Sequence, residues 1–124
     1  ILYQMIKNIL LVGAGGALGS VARYLLTYIL TQLAICSEIA TIAINVVGSF
    51  AIGIAISALG NMGYLFAAVG FCGGFTTFST FSLQALQLLQ TGQRLQAFTY
   101  IAASVVICIL ATLLGIYCAE KCFK

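Results

Sequence analysis

The sequence predicts an all-α membrane protein with four transmembrane helices per subunit, forming one domain over residues 1–124. Of the 124 residues, 63% are hydrophobic and only 6% are charged, whereas charged residues make up about 25% of a soluble domain. One bilayer crossing takes roughly 20 apolar residues, so the chain has room for four crossings and no soluble domain. A run of glycine, threonine and serine in the third crossing would loosen a helix in the middle of the bilayer.

Four hydrophobic segments with short connections between them form the predicted spans. They are Met5–Leu33, Ile39–Leu59, Tyr64–Leu89 and Leu95–Ala119. Because short connections make consecutive helices antiparallel, an even number of spans puts both termini on one side of the membrane. The first segment is longer than the apolar region of a signal peptide and has no cleavage-site pattern, so we expect it to remain in the membrane.

Small residues recur four positions apart in every span, which lets two helices approach closely. The pairs are Gly15 and Gly19, Ser49 and Gly53, Gly70 and Gly74, and Ala111 and Gly115. Simple packing accounts for every pair except the third, which belongs to the unusual run in the third span. Four closely packed helices leave little interior for a pore, so this geometry favours an oligomer.

The distribution of charge gives only a weak preference for one orientation in the membrane. Lys7, Lys121 and Lys124 lie on the side of the termini, while Arg94 and, depending on its depth, Arg23 lie toward the other side. Cytoplasmic loops carry an excess of lysine and arginine, and three against two does not set an orientation. A chain that inserts both ways can pair with its inverted copy, which predicts an antiparallel, dual-topology homodimer.

The composition excludes most enzyme classes. The chain has no histidine, and its only acidic residues, Glu38 and Glu120, fall at the ends of predicted spans. Zinc hydrolases, His-based triads and paired-carboxylate sites therefore lack their essential groups, and we predict no enzyme activity. The five cysteines form no CxxC pair and are interpreted as small apolar side chains. The net charge of +3 fits contact with membrane lipid headgroups and not nucleic-acid binding.

The run GFCGGFTTFSTFS, from Gly70 to Ser82, is the segment in which we expect the function to reside. Its glycines, threonines and serines loosen a helix, and no water is available in the bilayer core for the freed backbone groups. Non-helical backbone persists at that depth only where protein buries it or where it lines a cavity or an ion path. Phe78 and Phe81 lie three residues apart in this run; their ring edges could contact an anion, or the pair could simply pack.

Two polar side chains inside the spans allow alternative interpretations, because such residues usually face the bundle interior or a water path. Arg23 is the only strong charge well inside a span. It could attract anions at a vestibule, hold a helix in place, or extend its head to the membrane interface. Asn45 could donate its amide to a passing anion, or it could join two helices through a hydrogen bond.

Four polar or small side chains recur every four residues along the fourth span. They are Tyr100, Ser104, Cys108 and Thr112. Because positions four residues apart drift by only about 40° around a helix, the set forms one slowly winding strip. A single serine in a span usually bonds to its own helix, whereas a strip of several polar residues favours the lining of a pathway.

Three segments of the sequence together resemble the small bacterial fluoride channels of the Fluc, or CrcB, type. GFCGGFTTFSTF, from Gly70 to Phe81, closely resembles the family signature and is the most specific of the three. GAGGALGSVARY, from Gly13 to Tyr24, resembles the opening motif, and INVVGSF, from Ile44 to Phe50, resembles the motif of the second helix. The similarity covers the first three spans in order, and the fourth span is less distinctive.

The resemblance implies a fold, a central ion and a function. Members of this family are antiparallel dual-topology homodimers with two ion pathways, and their third helix breaks within the membrane. Backbone carbonyls at the break, which match Gly73 and Thr76 of each subunit, are implied to hold one structural sodium ion. The family forms passive channels of the bacterial inner membrane through which cytoplasmic fluoride leaves the cell.

The resemblance also implies which residues form the fluoride pathway. Phe78 and Phe81 match the phenylalanines that line it, and Asn45 and Ser82 match hydrogen-bond donors along it. Arg23 matches an arginine that is expected near the vestibule.

The fourth span matches the polar track of the family in part, and the chain departs from the family at two positions. Tyr100, Ser104 and Thr112 fall where the polar track of the fourth helix is expected. Gln84 stands where several members have a glutamate, so a carboxylate role at the vestibule is in doubt here. Cys108 stands where a serine is common, which weakens one possible donor.

The main alternative is a small dual-topology multidrug exporter, which is also a four-helix antiparallel dimer. Proton-coupled export of cations requires a carboxylate within the membrane, and no Asp or Glu lies inside a predicted span. Fluoride is small and strongly hydrated, so its pore must replace water with donors that still release the ion. Uncharged amide and hydroxyl groups inside the spans are consistent with the fluoride channel that the resemblance implies.

Overall fold

The computed structural model describes residues 1–123, and every regular element in that range is helical. The elements are α1 (Leu2–Gln32), α2 (Ser37–Ala58), α3 (Asn61–Tyr64), a π-helical stretch (Leu65–Cys72), α4 (Gly73–Phe75), α5 (Phe78–Gln90) and α6 (Arg94–Phe123). Four spans within residues 1–123 are long and apolar enough to cross a membrane: α1, α2, Asn61–Gln90 and α6. The prediction of a four-span, all-helical membrane protein is confirmed.

The spans begin and end close to the predicted positions, because long apolar runs meet short polar connections there. The third span begins at Asn61 rather than at Tyr64, and α6 continues past Ala119 to Phe123. The connection after α5 turns at Gly92, whose φ of +81° is one that glycine adopts without strain. The N–H of Gly92 donates to the carbonyl of Leu89 at 3.2 Å, which satisfies a carbonyl at the end of α5.

The third span consists of two helical halves that meet at Thr76 and Thr77. The first half runs from Asn61 to Phe75 and contains the π-helical stretch. Thr76 (φ −79°, ψ 160°) and Thr77 (φ −146°, ψ 110°) have extended backbone. The side chain of Thr77 then accepts a hydrogen bond from the N–H of Thr80 and so caps α5. We call Thr76 and Thr77 the extended pair.

Glycines allow α1 to lie directly against the backbone of the first half of the third span. A Cβ at Gly15 would overlap the carbonyl oxygen of Phe66, and a Cβ at Gly19 would overlap that of Phe71. A second close crossing joins α2 to α6, where a Cβ at Gly53 would overlap the carbonyl oxygen of Thr112. These crossings are the helix packing that the recurring small residues predict.

Gly19→Val should destabilise the protein, because the added side chain has to displace the backbone of Phe71. Overpacking of this kind costs roughly 1–3 kcal/mol. The midpoint of thermal unfolding in detergent should fall for Gly19→Val and remain unchanged for Gly13→Val, because a Cβ at Gly13 meets nothing within 4 Å. Equal midpoints for the two variants would contradict the close crossing.

The second half of the third span packs against the start of α6. A cluster of buried side chains joins the two helices: Ala85, Leu88, Ala97 and Tyr100. Most large apolar side chains elsewhere are exposed on the single chain, for example Leu10 and Leu113. Such a surface suits contact with lipid or with another membrane-embedded chain.

Candidate functional site

A cavity of about 530 Å³ lies beside the extended pair, between α2, the third span and α6. Six of the residues singled out from the sequence line it: Asn45, Gly73, Thr76, Phe78, Phe81 and Ser104. Its other walls are apolar or weakly polar, and no lysine, arginine, aspartate or glutamate is among them. The structure therefore brings most of the predicted site together around one uncharged chamber.

Asn45 holds the extended pair in place through two hydrogen bonds. Its Nδ2 donates to the carbonyl oxygen of Thr77 at 3.1 Å, and its Oδ1 accepts from the N–H of Thr77 at 2.7 Å. The side chain thus replaces the helical partners that Thr77 loses when the backbone becomes extended. One N–H of the Asn45 carboxamide remains for another acceptor.

The threonine hydroxyls of the extended pair bond mainly to their own chain segment. Thr76 Oγ1 donates to the carbonyl of Cys72 at 2.8 Å, and Thr77 Oγ1 accepts from the N–H of Thr80 at 3.2 Å. The side chain of Thr76 packs directly against Gly48, where a Cβ would overlap Thr76 Cγ2. The glycine of the second-helix motif is therefore part of the site, which sequence reasoning did not identify.

Two backbone carbonyls at the site lack their helical donors. A continuous helix would direct the N–H of Thr77 to the carbonyl of Gly73, but that N–H donates to Asn45. It would also direct the N–H of Thr80 to the carbonyl of Thr76, but that N–H donates to Thr77 Oγ1. The carbonyls of Gly73 and Thr76 thus lack these two helical donors, and both residues line the cavity.

Arg23 contacts the end of the first half of the third span. Its Nε donates to the carbonyl oxygen of Gly74 at 2.9 Å. A cation at this position also complements the partial negative charge at a helix C-terminus. Of the alternatives left open by the sequence, the contact corresponds to a side chain that holds a helix in place, and Arg23 does not line the cavity.

Aromatic rings form one side of the cavity. Phe78 and Phe81 have ring centroids 5.6 Å apart with planes tilted by 51°, and Phe81 and Tyr100 are 5.2 Å apart with a tilt of 52°. Tyr100 itself is fixed by its hydroxyl, which donates to Gln84 Oε1 at 2.6 Å. Phe78 is 78% exposed on the single chain, although it lies in the middle of a span.

Ser104 is the buried polar side chain of the cavity that has no partner within residues 1–123. Its Oγ is buried and makes no hydrogen bond to any residue within 1–123, and Ser104 lines the cavity together with Cys108. A buried hydroxyl without a partner costs free energy, so an occupant of the cavity would find a donor here. An unsatisfied side chain of this kind is not visible in the sequence, where Ser104 is one member of a strip.

Three of the predicted pathway residues lie away from the cavity. Thr112 donates its hydroxyl to the carbonyl of Cys108 at 3.1 Å, within its own helix. Ser82 is exposed and does not line the cavity. Tyr100 also lies outside the cavity and contacts it only through the ring of Phe81.

The site does not have the ligands of a transition-metal centre. Within residues 1–123, no group of three or more His, Cys, Asp and Glu residues could hold a metal ion. The lining offers amide, hydroxyl and backbone groups, together with aromatic ring edges. Such groups bind small ions through dipoles, and without a fixed charge they release them readily.

Comparisons with known proteins agree on one family. The profile of the CrcB-like protein, Camphor Resistance (CrcB) family matches residues 10–116. A protein of Chlorobium chlorochromatii named fluoride-specific ion channel FluC is 40% identical over 119 residues, which are 91% of this chain and 92% of the relative. A protein of the same name from Phocaeicola vulgatus is 44% identical over 120 residues, 92% of this chain and 99% of the relative. The matched region contains the whole cavity.

Proposed function

This chain belongs to the CrcB family, and we propose that it is a passive, fluoride-selective channel whose ion pathway includes the cavity beside the extended pair. The family is one of fluoride ion channels and not of enzymes. The chain is a multi-pass membrane protein, and the bacterial inner membrane is the location in which it would export cytoplasmic fluoride.

The observation that carries this proposal is an uncharged cavity with an unpartnered donor inside a membrane-spanning bundle. Fluoride must exchange its strong hydration for other donors, and Ser104 Oγ and the remaining N–H of Asn45 can supply them. The ring edges of Phe78 and Phe81 add weak positive potential without a hydrogen bond. Since none of these groups carries a full charge, each site would be weak enough to let the ion move on.

We propose that the extended pair is the membrane break of the third helix and that a sodium ion is bound beside it. The carbonyls of Gly73 and Thr76 have lost their helical donors, and hard cations such as Na⁺ prefer oxygen ligands of this kind. The donor set therefore fits the ion. When bound, it would raise the electrostatic potential of the pathway for an anion.

The proposed assembly is an antiparallel homodimer. The cavity is open on one side of the single chain, and Phe78 stands exposed at its edge. A second copy in the inverted orientation would close the opening and present its own extended pair to the first. Two carbonyls from each copy would then surround the sodium ion. Both orientations are permitted because lysine and arginine are almost equally divided between the two sides of the membrane.

The remaining sequence-derived residues are proposed to serve the pathway beyond the cavity. Ser82 carries an exposed hydroxyl that could donate to fluoride. Tyr100 and Thr112 could do so only by giving up their hydrogen bonds to Gln84 and Cys108. Arg23 would set the positive potential near the vestibule while it holds the carbonyl of Gly74. Gln84 would act by orienting the hydroxyl of Tyr100.

Growth assays can distinguish the proposed channel from a multidrug exporter. Expression of this chain in a bacterium that lacks its own fluoride exporter should restore growth in medium containing fluoride. It should not protect the same cells from a quaternary ammonium compound, because proton-coupled export needs a carboxylate inside the membrane. Glu38 lies at the start of α2, Glu120 lies near the end of α6, and neither lines the cavity. If the cells were protected from the ammonium compound but not from fluoride, the chain would be a multidrug exporter and not a fluoride channel.

Phe81→Ile should slow fluoride efflux from liposomes roughly fivefold or more, because it removes an aromatic ring, with its positive edge, from the lining of the cavity. The ring also packs against Phe78 and Tyr100. Phe98→Ile is the matched control, since Phe98 is 63% exposed on α6 and does not line the cavity. A fluoride-selective electrode measures both rates, and equal rates would return Phe81 to a packing role.

A further inference from the structure

A second groove lies at the start of α1, and none of its lining residues lines the cavity of the proposed channel. Its volume is about 380 Å³, within the range of small-molecule sites. One face of α1 and a single ring of the third span form its walls: Tyr3, Ile6, Lys7, Leu10, Leu11, Ala14 and Phe66. The α1 residues are spaced as one helical face, and no other described element covers it.

The groove has a charged end and an apolar end. Lys7 and Tyr3 lie at the end near the start of α1, and Leu10, Leu11 and Ala14 continue the groove along the helix. Lys7 is half-buried, so its methylene chain contributes to the wall while its ammonium group can reach the aqueous side. Tyr3, 78% exposed, presents a ring and a hydroxyl group at the same level.

The length and the side chains of α1 together place this charged end at the membrane surface. Its 31 residues span about 46 Å, whereas the hydrocarbon core is about 30 Å thick, so part of the helix extends beyond the core. The lysine and tyrosine in its first turns assign part of that excess to this end, in the headgroup layer. Tyrosine and lysine are the side chains that favour this layer, and the leucine end of the groove then lies at the depth of acyl chains.

Charge complementarity selects the class of lipid. Among residues 1–123, this end of the protein carries Lys7 and Lys121 against one acid, Glu120. The ammonium of Lys121 lies 5.6 Å from the ring centroid of Tyr117 and Lys121 does not line the groove. Lys7 is therefore the cation that a ligand in the groove would meet.

We propose that this groove is a binding site for one anionic phospholipid, with its headgroup at Lys7 and Tyr3 and an acyl chain along the leucine end. The phosphate would accept from the ammonium of Lys7 and the hydroxyl of Tyr3. The acyl chain would cover Leu10, Ala14 and the ring of Phe66. This site is independent of the proposed fluoride pathway.

Native mass spectrometry of the full chain in detergent tests the headgroup end. Dioleoyl phosphatidylglycerol and dioleoyl phosphatidylcholine are the probes, since they share tails and differ in net charge. The anionic phosphatidylglycerol should be retained about fivefold more strongly than phosphatidylcholine, which is the effect expected of one lysine near an anionic surface. Lys7→Gln should abolish this preference, whereas Lys121→Gln should keep it.

Ala14→Phe tests the apolar end, because the larger ring would fill the groove. Retention of both lipids should fall in this variant and should remain unchanged in Ala17→Phe, whose exposed position does not line the groove. Equal retention of the two lipids by the unmodified chain would overturn the proposal, and so would an equal loss in Lys7→Gln and Lys121→Gln. Conversion of a dimer to a monomer by Ala14→Phe would also overturn it, because the groove would then belong to a second copy.

Discussion

Asn45→Ala is expected to lower fluoride efflux from liposomes about thirtyfold or more. The substitution removes both hydrogen bonds to the backbone of Thr77, at 3.1 and 2.7 Å. Each leaves a backbone group unsatisfied inside the bundle, at a cost of roughly 1–3 kcal/mol. The extended pair can then relax toward a continuous helix, which would return the N–H of Thr77 to Gly73 and close the proposed sodium site.

The control for this experiment is Asn8→Ala, which removes an exposed amide from α1. Asn8 accepts a hydrogen bond only from Gln4 among the described side chains, so efflux should remain close to that of the unmodified protein. The two variants should also differ in sodium dependence, because only Asn45→Ala disturbs the carbonyls that would hold the cation. Normal efflux through Asn45→Ala would show that the extended pair is not required for conduction.

Gly73→Val is expected to abolish the dimer and, with it, fluoride efflux. Gly73 is exposed and lines the open cavity, and a Cβ at this position meets nothing within 4 Å of the single chain. The valine should therefore leave the fold of one chain intact. In the proposed dimer the same position faces the extended pair of the inverted copy, where two additional branched side chains would prevent close approach.

Gly13→Val provides the matched control, because its Cβ also meets nothing within 4 Å and Gly13 lies outside the cavity. Single-molecule photobleaching in liposomes at low protein density should count two subunits per particle for Gly13→Val and one for Gly73→Val. Two subunits and full efflux in Gly73→Val would contradict the proposed interface. One subunit with full efflux would contradict the need for a dimer.

The number and position of the spans were predictable from the sequence, because length, apolar runs and short connections leave one arrangement of four crossings. The ends were less predictable. Asn61 and the residues before Tyr64 form a helical turn, although glycine and asparagine are typical of connections. The π-helical stretch Leu65–Cys72 was not predicted, since a wider helical turn has no residue pattern of its own.

The site was only partly predictable, because side-chain partners depend on how the spans pack. The glycine-threonine run drew attention to the segment from Gly70 to Ser82, and the extended pair lies inside it. Gly73 and Thr76 were singled out only by the resemblance to the family. The sequence left Asn45 and Arg23 with open alternatives, and only tertiary packing assigns them to Thr77 and Gly74. The missing partner of Ser104 is likewise a property of the packed bundle.

If the uncharged cavity forms the ion pathway, this membrane bundle should conduct fluoride and reject chloride. The most direct test is the efflux of fluoride and of chloride from liposomes that contain the purified full chain and are loaded with both anions in sodium buffer. Ion-selective electrodes would report the two rates together. We expect rapid loss of fluoride, with chloride retained as in protein-free liposomes. Equal loss of both anions, or loss of neither, would refute the proposed fluoride channel.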